Sequence, residues 1–380
     1  MNISRNIAFV SINQFNPALI DGACRSLLAR LLFLKSQGNH VSIINYVTQD
    51  VPYLLFQNSI AEGISYNKLE GALVKTDFHG VSYYERFIPY DRGELANPVI
   101  LKQIMQDLAS QMLDYALTAD SICIPLLAVS LLNIPGAHFF NSLRNVEKFP
   151  RSYIFRNILN KQKIFCNSQY LQGKIRDILG LSATIWHSFL ESDSYVFRQN
   201  INRTGTIGLS ASGGRDKGTD IFAAISNIMP EYTFKLAGLW DFINPPIPIP
   251  QNLHFIGFVS DMRQFYEDID LLLVPSLVSE SFPRVIMEAA VNSIPIIASD
   301  VGGIPEALGN NGILIKCDKN GDPVFIAKKY VKVIRRLMED DTLYSECQKK
   351  SYALGEAYRT MQQQESGQIY AQFMQHVEFR

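Results

Sequence analysis

Residues 271–290 read LLLVPSLVSESFPRVIMEAA, and this stretch decides the fold. The apolar run Leu271 to Val274 predicts a short buried strand, and the residues from Pro283 to Ala290 predict a helix. Proline suits the first helical position, because the amide proton that it lacks would have no intrahelical partner there. A strand, a loop and a helix in this order form the repeating unit of a parallel α/β sheet.

The same alternation of strand and helix continues on both sides of this stretch. Near the start of the chain, Ile7 to Ile12 predicts a strand, Ala23 to Gln37 an amphipathic helix and Val41 to Tyr46 the next strand. Further strands are predicted at 121–124, 163–166, 183–185, 206–210, 233–236, 253–256, 295–298 and 312–315. The pattern indicates an α/β protein with two doubly wound, Rossmann-like sheets.

The length of 380 residues is enough for two domains. A polar stretch from Arg198 to Thr204 separates the two series of strands and predicts the boundary. We therefore expect an N-terminal domain over residues 1–200 and a C-terminal domain over residues 203–360.

Composition narrows the classes of function. A net charge of -1 gives no electrostatic basis for nucleic-acid binding. The five cysteines are scattered without a Cys-x-x-Cys pair, which indicates a reducing compartment, and no cluster of His and carboxylates suggests a metal site. No signal peptide or run of about 20 apolar residues is evident, so a cytoplasmic location is expected.

The loop between the strand and the helix in 271–290 has the features of a phosphate site. Amides at the start of the helix, on Arg284, Val285 and Ile286, are expected to point outward and attract an anion at the carboxyl edge of the sheet. Glu288 lies roughly 7–8 Å further along the helix, about the reach from a phosphate to a ribose. Glu280 lies on the other side, where a sugar would sit. Two glutamates eight residues apart are also common by chance, so spacing alone leaves a purely structural role open.

The motif resembles the Glu-x7-Glu motif of glycosyltransferase family 4, the large retaining GT-B family also described as glycosyl transferases group 1. The residues Ile294 to Glu306 resemble the strand and glycine turn that follow it in the family, and Asn252 to Val259 resemble the family's base-pocket strand and loop. The resemblance implies the GT-B fold, two Rossmann-like domains facing each other across a cleft. A C-terminal helix within residues 362–380, near Gln364 to His376, would pack back on the first domain.

The resemblance also implies a reaction. The sugar of a nucleoside-diphosphate donor of the UDP or GDP type would pass to a glycan or lipid-linked acceptor with retention of configuration, without a metal or other cofactor. Polysaccharide or cell-envelope glycan biosynthesis is the expected setting.

Residue by residue, the family's catalytic positions fall on Glu280, which would meet the donor sugar hydroxyls, and on Lys217, which would meet the phosphates. Glu288 would bind the ribose. The other expected donor-binding positions are Gly22 in the glycine loop, Arg215, Phe258 beside the base, and Ser281, Phe282, Arg284 and Val285 around the sugar and diphosphate. Ser212 occupies the family's usual arginine position, and Arg215 is expected to substitute for it.

One departure from the family keeps an alternative open. The family's histidine should follow a strand near Ile122 to Ile124, but the sequence there continues Ile124-Pro125-Leu126, and His138 comes one strand later. A catalytically silent GT-B subunit that binds a nucleotide sugar or a partner enzyme is therefore the alternative. An epimerase on the same fold is disfavoured, because the donor motif is of the transferase kind.

A basic segment is the last notable feature. Residues 144–163 contain six Lys and Arg and one acid, Glu147, interleaved with aromatic and apolar residues. The segment could rest as a peripheral element on the inner face of an anionic membrane, beside a lipid-linked acceptor. Alternatively, it is a solvated helix that packs its apolar side on the N-terminal sheet.

Overall fold

The computed structural model describes residues 4–12, 22–48, 73–78, 80–88, 98–119, 123–190, 203–212, 214–239, 249–259 and 261–378. Contacts between Cα atoms divide the chain into two compact units. The first unit contains residues 1–189 and 364–380, and the second contains residues 190–363. The predicted boundary stretch lies largely outside the described residues.

The first unit is built on an eight-stranded sheet in the order β3-β4-β2-β1-β5-β6-β7-β8. Its strands are β1 Asn6–Ile12, β2 His40–Thr48, β3 Val74–Phe78, β4 Val81–Ile88, β5 Tyr115–Ala119, β6 Gly136–Phe140, β7 Lys163–Cys166 and β8 Thr184–Ile185. Among the strand pairs that the structure describes in this sheet, only β3 with β4 is antiparallel. Its helices are α1 Gly22–Ser36, α2 Pro98–Ser110, α3 Ile124–Leu131, α4 Leu143–Lys148, α5 Tyr153–Asn160 and α6 Gln169–Leu179.

One predicted strand of this sheet is wrong. The strand expected at residues 121–124 is Tyr115–Ala119, and Ile124 instead begins α3. Pro125 explains the difference, because proline lacks a ladder donor and is favoured in a first helical turn. The position of the expected histidine therefore moves to the residues directly after Ala119. The sequence there is Asp120-Ser121-Ile122-Cys123, again without histidine, and its first three residues lie outside the described part.

The second unit contains a six-stranded, fully parallel sheet in the order β11-β10-β9-β12-β13-β14. Its strands are β9 Thr206–Ser212, β10 Thr233–Leu239, β11 Leu253–Gly257, β12 Leu271–Val274, β13 Ile296–Ser299 and β14 Ile313–Ile315. Its helices are α7 Thr219–Ile228, α8 Met262–Asp268, α9 Arg284–Val291, α10 Ile304–Leu308 and α11 Pro323–Glu339. Buried apolar clusters cover both faces of the sheet, which explains why its strands read as nearly continuous apolar runs.

The order of this sheet creates a crevice between β9 and β12. From β9 the chain proceeds to β10 and β11 on one side, and from β12 to β13 and β14 on the other. The connections that leave β9 and β12 therefore diverge. In open α/β sheets, ligands bind outside the carboxyl ends of the strands at such a switch point.

The last helix, α12, is longer than expected. The sequence placed a helix near residues 364–376, but α12 runs without interruption from Asp341 to Glu378. Its final part belongs to the first unit, where Ile369 is buried in the core beside α1. Glu365 accepts a hydrogen bond from the His187 amide at 3.2 Å and also contacts Nδ1 of the ring at 2.6 Å. Among the described residues, no helix combines the length and apolarity needed to cross a lipid bilayer.

Candidate functional site

Two loops at the switch point of the second sheet bring Lys217 and Glu280 together. Lys217 ends a 3₁₀ turn, Arg215–Lys217, that follows β9, and Glu280 lies in the loop that follows β12. The Lys217 ammonium is 2.5 Å from Oε1 of Glu280, and Ser276 donates to the same oxygen at 3.1 Å. The side chains remain 28% and 19% exposed, so solvent reaches the pair. The loops thus present a cation and a carboxylate at the place where a ligand is expected.

Backbone contacts hold these two loops together. The carbonyl of Asp216 accepts a hydrogen bond from the Leu277 amide at 2.9 Å. Gly218 adopts a left-handed conformation with φ of +78°, and a Cβ at this position would lie 2.0 Å from the Pro275 carbonyl oxygen. Since no other residue fits between the loops, the glycine after Lys217 is a structural requirement of this site.

A glycine turn after β13 supports Glu280 from another side. The Gly303 amide donates to the Glu280 carbonyl at 2.7 Å. A Cβ on Gly302 would come within 2.4 Å of the same carbonyl oxygen, and one on Gly303 within 1.8 Å of the Ser281 carbonyl oxygen. Three loops from three adjacent strands therefore fix the backbone at Glu280.

The start of α9 differs in detail from the prediction. Pro283 is the N-cap, with φ of -69° and ψ of 117°, and not the first helical residue. The Ile286 amide donates to the Pro283 carbonyl at 3.1 Å, so the prediction that it points out of the helix is wrong. The anion site thus reduces to a prediction for the amides of Arg284 and Val285.

Glu288 is buried in α9 and holds two partners. Its Oε1 accepts a hydrogen bond from Nε of Arg284 at 2.6 Å, and its Oε2 accepts one from the Tyr266 hydroxyl at 2.8 Å. Glu288 and Arg284 are only 4% and 6% exposed, and Tyr266 is fully buried. This arrangement satisfies the general requirement that a buried charge be paired and hydrogen-bonded. The sequence pattern gave no sign of Tyr266, which lies on a different helix, α8.

Arg215 is bound to the start of α7. Its Nε lies 3.3 Å from Oδ2 of Asp220, and its side chain is 70% exposed. Burial raises the pKa of Asp220 above its usual value, while the nearby Arg215 lowers it. The Arg215 guanidinium thus remains largely open to solvent, two positions before Lys217.

The remaining candidate positions vary in exposure. Ser281 and Phe282 are buried, and Phe282 makes an edge-on contact with the Tyr358 ring at 6.0 Å between ring centres. Phe258, one residue beyond β11, is 41% exposed. Val285 is partly buried in the same apolar cluster as Phe282. Gly22 opens α1 in the first unit.

His138 lies inside β6. It is fully buried, with Nδ1 2.9 Å from the Thr118 hydroxyl and with Phe140 and Phe149 against its ring. This is a core environment and gives no sign of a ligand. Within the described part of the chain, no three His, Cys, Asp or Glu side chains are grouped so as to hold a metal ion.

Comparison with known proteins finds a family model that matches part of the second unit. Residues 216–340, which include Lys217, Glu280 and Glu288, match the family model described as "Glycosyl transferases group 1". The match extends over about a third of the chain, so this segment is similar to group 1 glycosyltransferases. It contains five of the six described strands of the second sheet, β10 to β14, together with the loop that follows β12, whereas β9 lies before it.

The chain spans less than two thirds of the length of the curated relatives that it matches. The O-antigen biosynthesis glycosyltransferase WbnH of Escherichia coli is 30% identical over 105 residues, which are 26% of this chain and 30% of WbnH. An uncharacterized glycosyltransferase of Methanocaldococcus jannaschii is 27% identical over 227 residues, which are 56% of this chain and 62% of that protein.

Solved structures match both units of the chain. Sucrose-phosphate synthase from Thermosynechococcus elongatus superposes with a TM-score of 0.73 at 16% identity, over 97% of this chain and 99% of that one. Anabaena HepE in complex with UDP and glucose superposes with a TM-score of 0.70 at 16% identity, over 96% of this chain and 99% of that one. The fold, two α/β units with parallel sheets, is GT-B.

Proposed function

We propose that the protein is a glycosyltransferase that moves a sugar from a nucleoside-diphosphate donor to a glycan or lipid-linked acceptor. The contact between Lys217 and Glu280 at the switch point carries the proposal. It places a cation for the diphosphate and a carboxylate for the sugar hydroxyls at one crevice. The match of residues 216–340 to the group 1 glycosyltransferase model supports the class of reaction. The UDP bound to the structurally similar HepE supports the class of donor.

In this proposal Lys217 binds the diphosphate together with the amides at the start of α9. A cation fixed at the leaving group stabilises the negative charge that develops as the glycosidic bond breaks. Since the ammonium already supplies positive charge, the transfer does not require a divalent metal. Arg215 adds a second, exposed cation next to this position.

Glu280 then accepts hydrogen bonds from hydroxyls of the donor sugar. Its Oε1 is held by Lys217 and Ser276, and these contacts fix the carboxylate before the donor arrives. Such preorganisation reduces the entropy lost on binding. We propose that the transfer retains the configuration of the sugar, as it does in glycosyltransferase family 4, which the donor motif resembles.

Glu288 is proposed to bind the ribose, and its partners define how. Arg284 and Tyr266 each occupy one carboxylate oxygen, so the ribose hydroxyls would use the remaining lone pairs. Arg284 would thus orient Glu288 in addition to supplying its backbone amide to the diphosphate.

The O-antigen relatives support polysaccharide or cell-envelope glycan synthesis, and we propose a cytoplasmic location for it. A lipid-linked acceptor would be met at the inner face of the membrane by peripheral contact through residues 144–163.

Release of free sugar or transfer to an added acceptor tests the proposal. Purified protein is incubated with UDP- and GDP-sugars, and the products are followed by mass spectrometry. We expect turnover of at least one donor by the wild-type protein and loss of turnover in Glu280→Gln. Tight binding of a nucleotide sugar without turnover under any acceptor would instead identify the catalytically silent subunit.

A further inference from the structure

Helices α4 and α5 and the residues that flank them form a strongly basic surface on the first unit. We call residues 144–163 the α5 surface. Its six cations are all exposed: Arg144, Lys148, Arg151, Arg156, Lys161 and Lys163. Glu147 is the only acid in this range. The surface therefore carries a local net charge of +5 on a chain whose net charge is -1.

Two large apolar side chains stand in the middle of these charges. Tyr153 is 80% exposed and Ile154 is 65% exposed, in the first turn of α5. Ile158 and Leu159, one turn later, are buried in the core. Packing on the sheet therefore explains Ile158 and Leu159 but leaves Tyr153 and Ile154 in water, which is costly without a partner.

A cavity of about 350 Å³ borders α5, where Arg156 and Leu159 line it. Its lining combines apolar side chains, among them Phe149, Leu159 and Leu181, with Arg151, Arg156 and one acid, Asp177, which lies 3.6 Å from Nε of Arg176. Arg156 is fixed there, because its Nη2 donates to the Leu179 carbonyl at 3.1 Å. An apolar recess bordered by guanidinium groups matches the chemistry of a lipid, which joins a phosphate to hydrocarbon.

We propose that the α5 surface docks the first unit on an anionic lipid bilayer, with Tyr153 and Ile154 inserted among the headgroups and the cations against lipid phosphates. Tyrosine suits this depth, because its ring is apolar and its hydroxyl remains hydrated. Basic residues near an anionic surface add attraction that salt screens. The docking specifies the residues of the membrane contact named in the proposed function, and it does not depend on the chemistry of sugar transfer.

A second basic helix in the chain supplies a matched control. Phe325 on α11 is 62% exposed and has Lys328, Lys329 and Lys332 near it in sequence. Here the Lys329 ammonium lies over the Phe325 ring at 5.4 Å and donates to the Lys316 carbonyl at 3.0 Å. This aromatic side chain thus already has a cation as its partner within the protein.

Sedimentation with vesicles tests the docking without any sugar donor. We expect the full-length protein to bind vesicles containing phosphatidylglycerol, and to bind pure phosphatidylcholine at least tenfold more weakly. The variant Tyr153→Ser/Ile154→Ser should lose at least tenfold in binding, whereas Phe325→Ser should bind like the wild type. Lys148→Gln/Lys161→Gln should lose about fivefold for each charge removed.

Thermal unfolding confirms that each variant is folded. Equal binding to both lipids, or equal losses in the α5 and Phe325 variants, would overturn the proposal. Absence of donor turnover would leave the docking result unchanged, so the two proposals fail separately.

Discussion

The ammonium of Lys217 lies 2.5 Å from a carboxylate oxygen of Glu280, although the two residues are 63 positions apart in sequence. The sheet order accounts for this contact, since β9 and β12 are neighbours and both loops leave at their carboxyl ends. The contact places a paired cation and anion, both open to solvent, at the carboxyl edge of the second sheet, the edge where ligands generally bind in open α/β sheets.

Removal of the Lys217 ammonium should mainly affect the transition state. We expect Lys217→Ala to lower turnover of the donor by about 100-fold or more, the range seen when one transition-state stabiliser is lost. Lys235→Ala is the control, because Lys235 forms an ion pair with Asp268 in the same unit, away from the Lys217–Glu280 contact. Steady-state kinetics in EDTA make the comparison. Full activity in Lys217→Ala, or a strict requirement for added metal, would refute the proposed role of the ammonium.

Gly218 should resist substitution because of the close approach of the two loops. Gly218→Ala introduces both a strained φ and a clash with the Pro275 carbonyl, whereas Gly257→Ala introduces only the strain, since φ is +71° and no atom lies within 4 Å. We expect Gly257→Ala to cost about 1–2 kcal/mol of unfolding free energy. Gly218→Ala should cost clearly more and also reduce donor turnover. Urea unfolding of both variants measures the difference, and equal costs would show that the loops can separate freely.

Removing one partner of the buried ion pair of Arg284 and Glu288 should lower the free energy of unfolding more than replacing both partners with apolar residues. Glu288→Leu leaves the Arg284 charge buried at 6% exposure without its carboxylate, which typically costs about 3–5 kcal/mol. In Arg284→Met/Glu288→Leu no charge remains buried, so we expect much of that loss to be recovered. Chemical unfolding of the single and double variants gives both values. A double variant that is less stable than the single one would contradict this account.

Glu85 in the first unit should make stability depend on pH. It is 2% exposed, with Oε2 accepting a hydrogen bond from the Tyr83 hydroxyl at 2.5 Å. Burial raises the pKa of Glu85 from 4.5 to about 7, and hydrogen bonds from Tyr83 and Asn45 lower it. The folded state thus holds the proton more tightly than the unfolded state. The contribution of Glu85 to the free energy of unfolding is therefore fully present below pH 4.5 and is lost as the pH rises through about 7.

The free energy of unfolding that Glu85 contributes falls by roughly 3 kcal/mol between pH values below its unfolded pKa and pH values above its folded pKa. Glu85→Gln, which is always neutral, should remove this part of the pH dependence. Glu147→Gln, at an exposed position, should not. Urea unfolding at several pH values follows the effect, and the same slope in Glu85→Gln as in the wild type would assign the dependence to other groups.

Much of the fold followed from local sequence patterns. The buried strands of parallel sheets are short apolar runs between helices, so β7 and β12 could be predicted with their observed bounds, Lys163–Cys166 and Leu271–Val274. The strand expected at 121–124 was wrong, because Ile122, Cys123 and Ile124 form an equally apolar run that Pro125 turns into a helix start. Apolarity alone does not separate a buried strand from a buried helix end.

The site was less accessible to sequence reasoning. The motifs predict Lys217 and Glu280 as site residues, whereas the approach of Gly218 to Pro275 becomes visible only with the sheet order. The partners of Glu288 depend on tertiary packing. Tyr266 reaches it from another helix, 22 positions away, and no periodicity marks such a pair.

Calorimetric titration of UDP and GDP into the protein in EDTA tests the central claim, that the loops around Lys217 and Glu280 bind a nucleoside diphosphate. We expect binding of at least one of them to the wild type and to Lys235→Ala, and about 10- to 100-fold weaker binding to Lys217→Ala, the effect of losing one charged hydrogen bond. No binding of either nucleotide at millimolar concentration, or equal affinity in Lys217→Ala and Lys235→Ala, would contradict the claim.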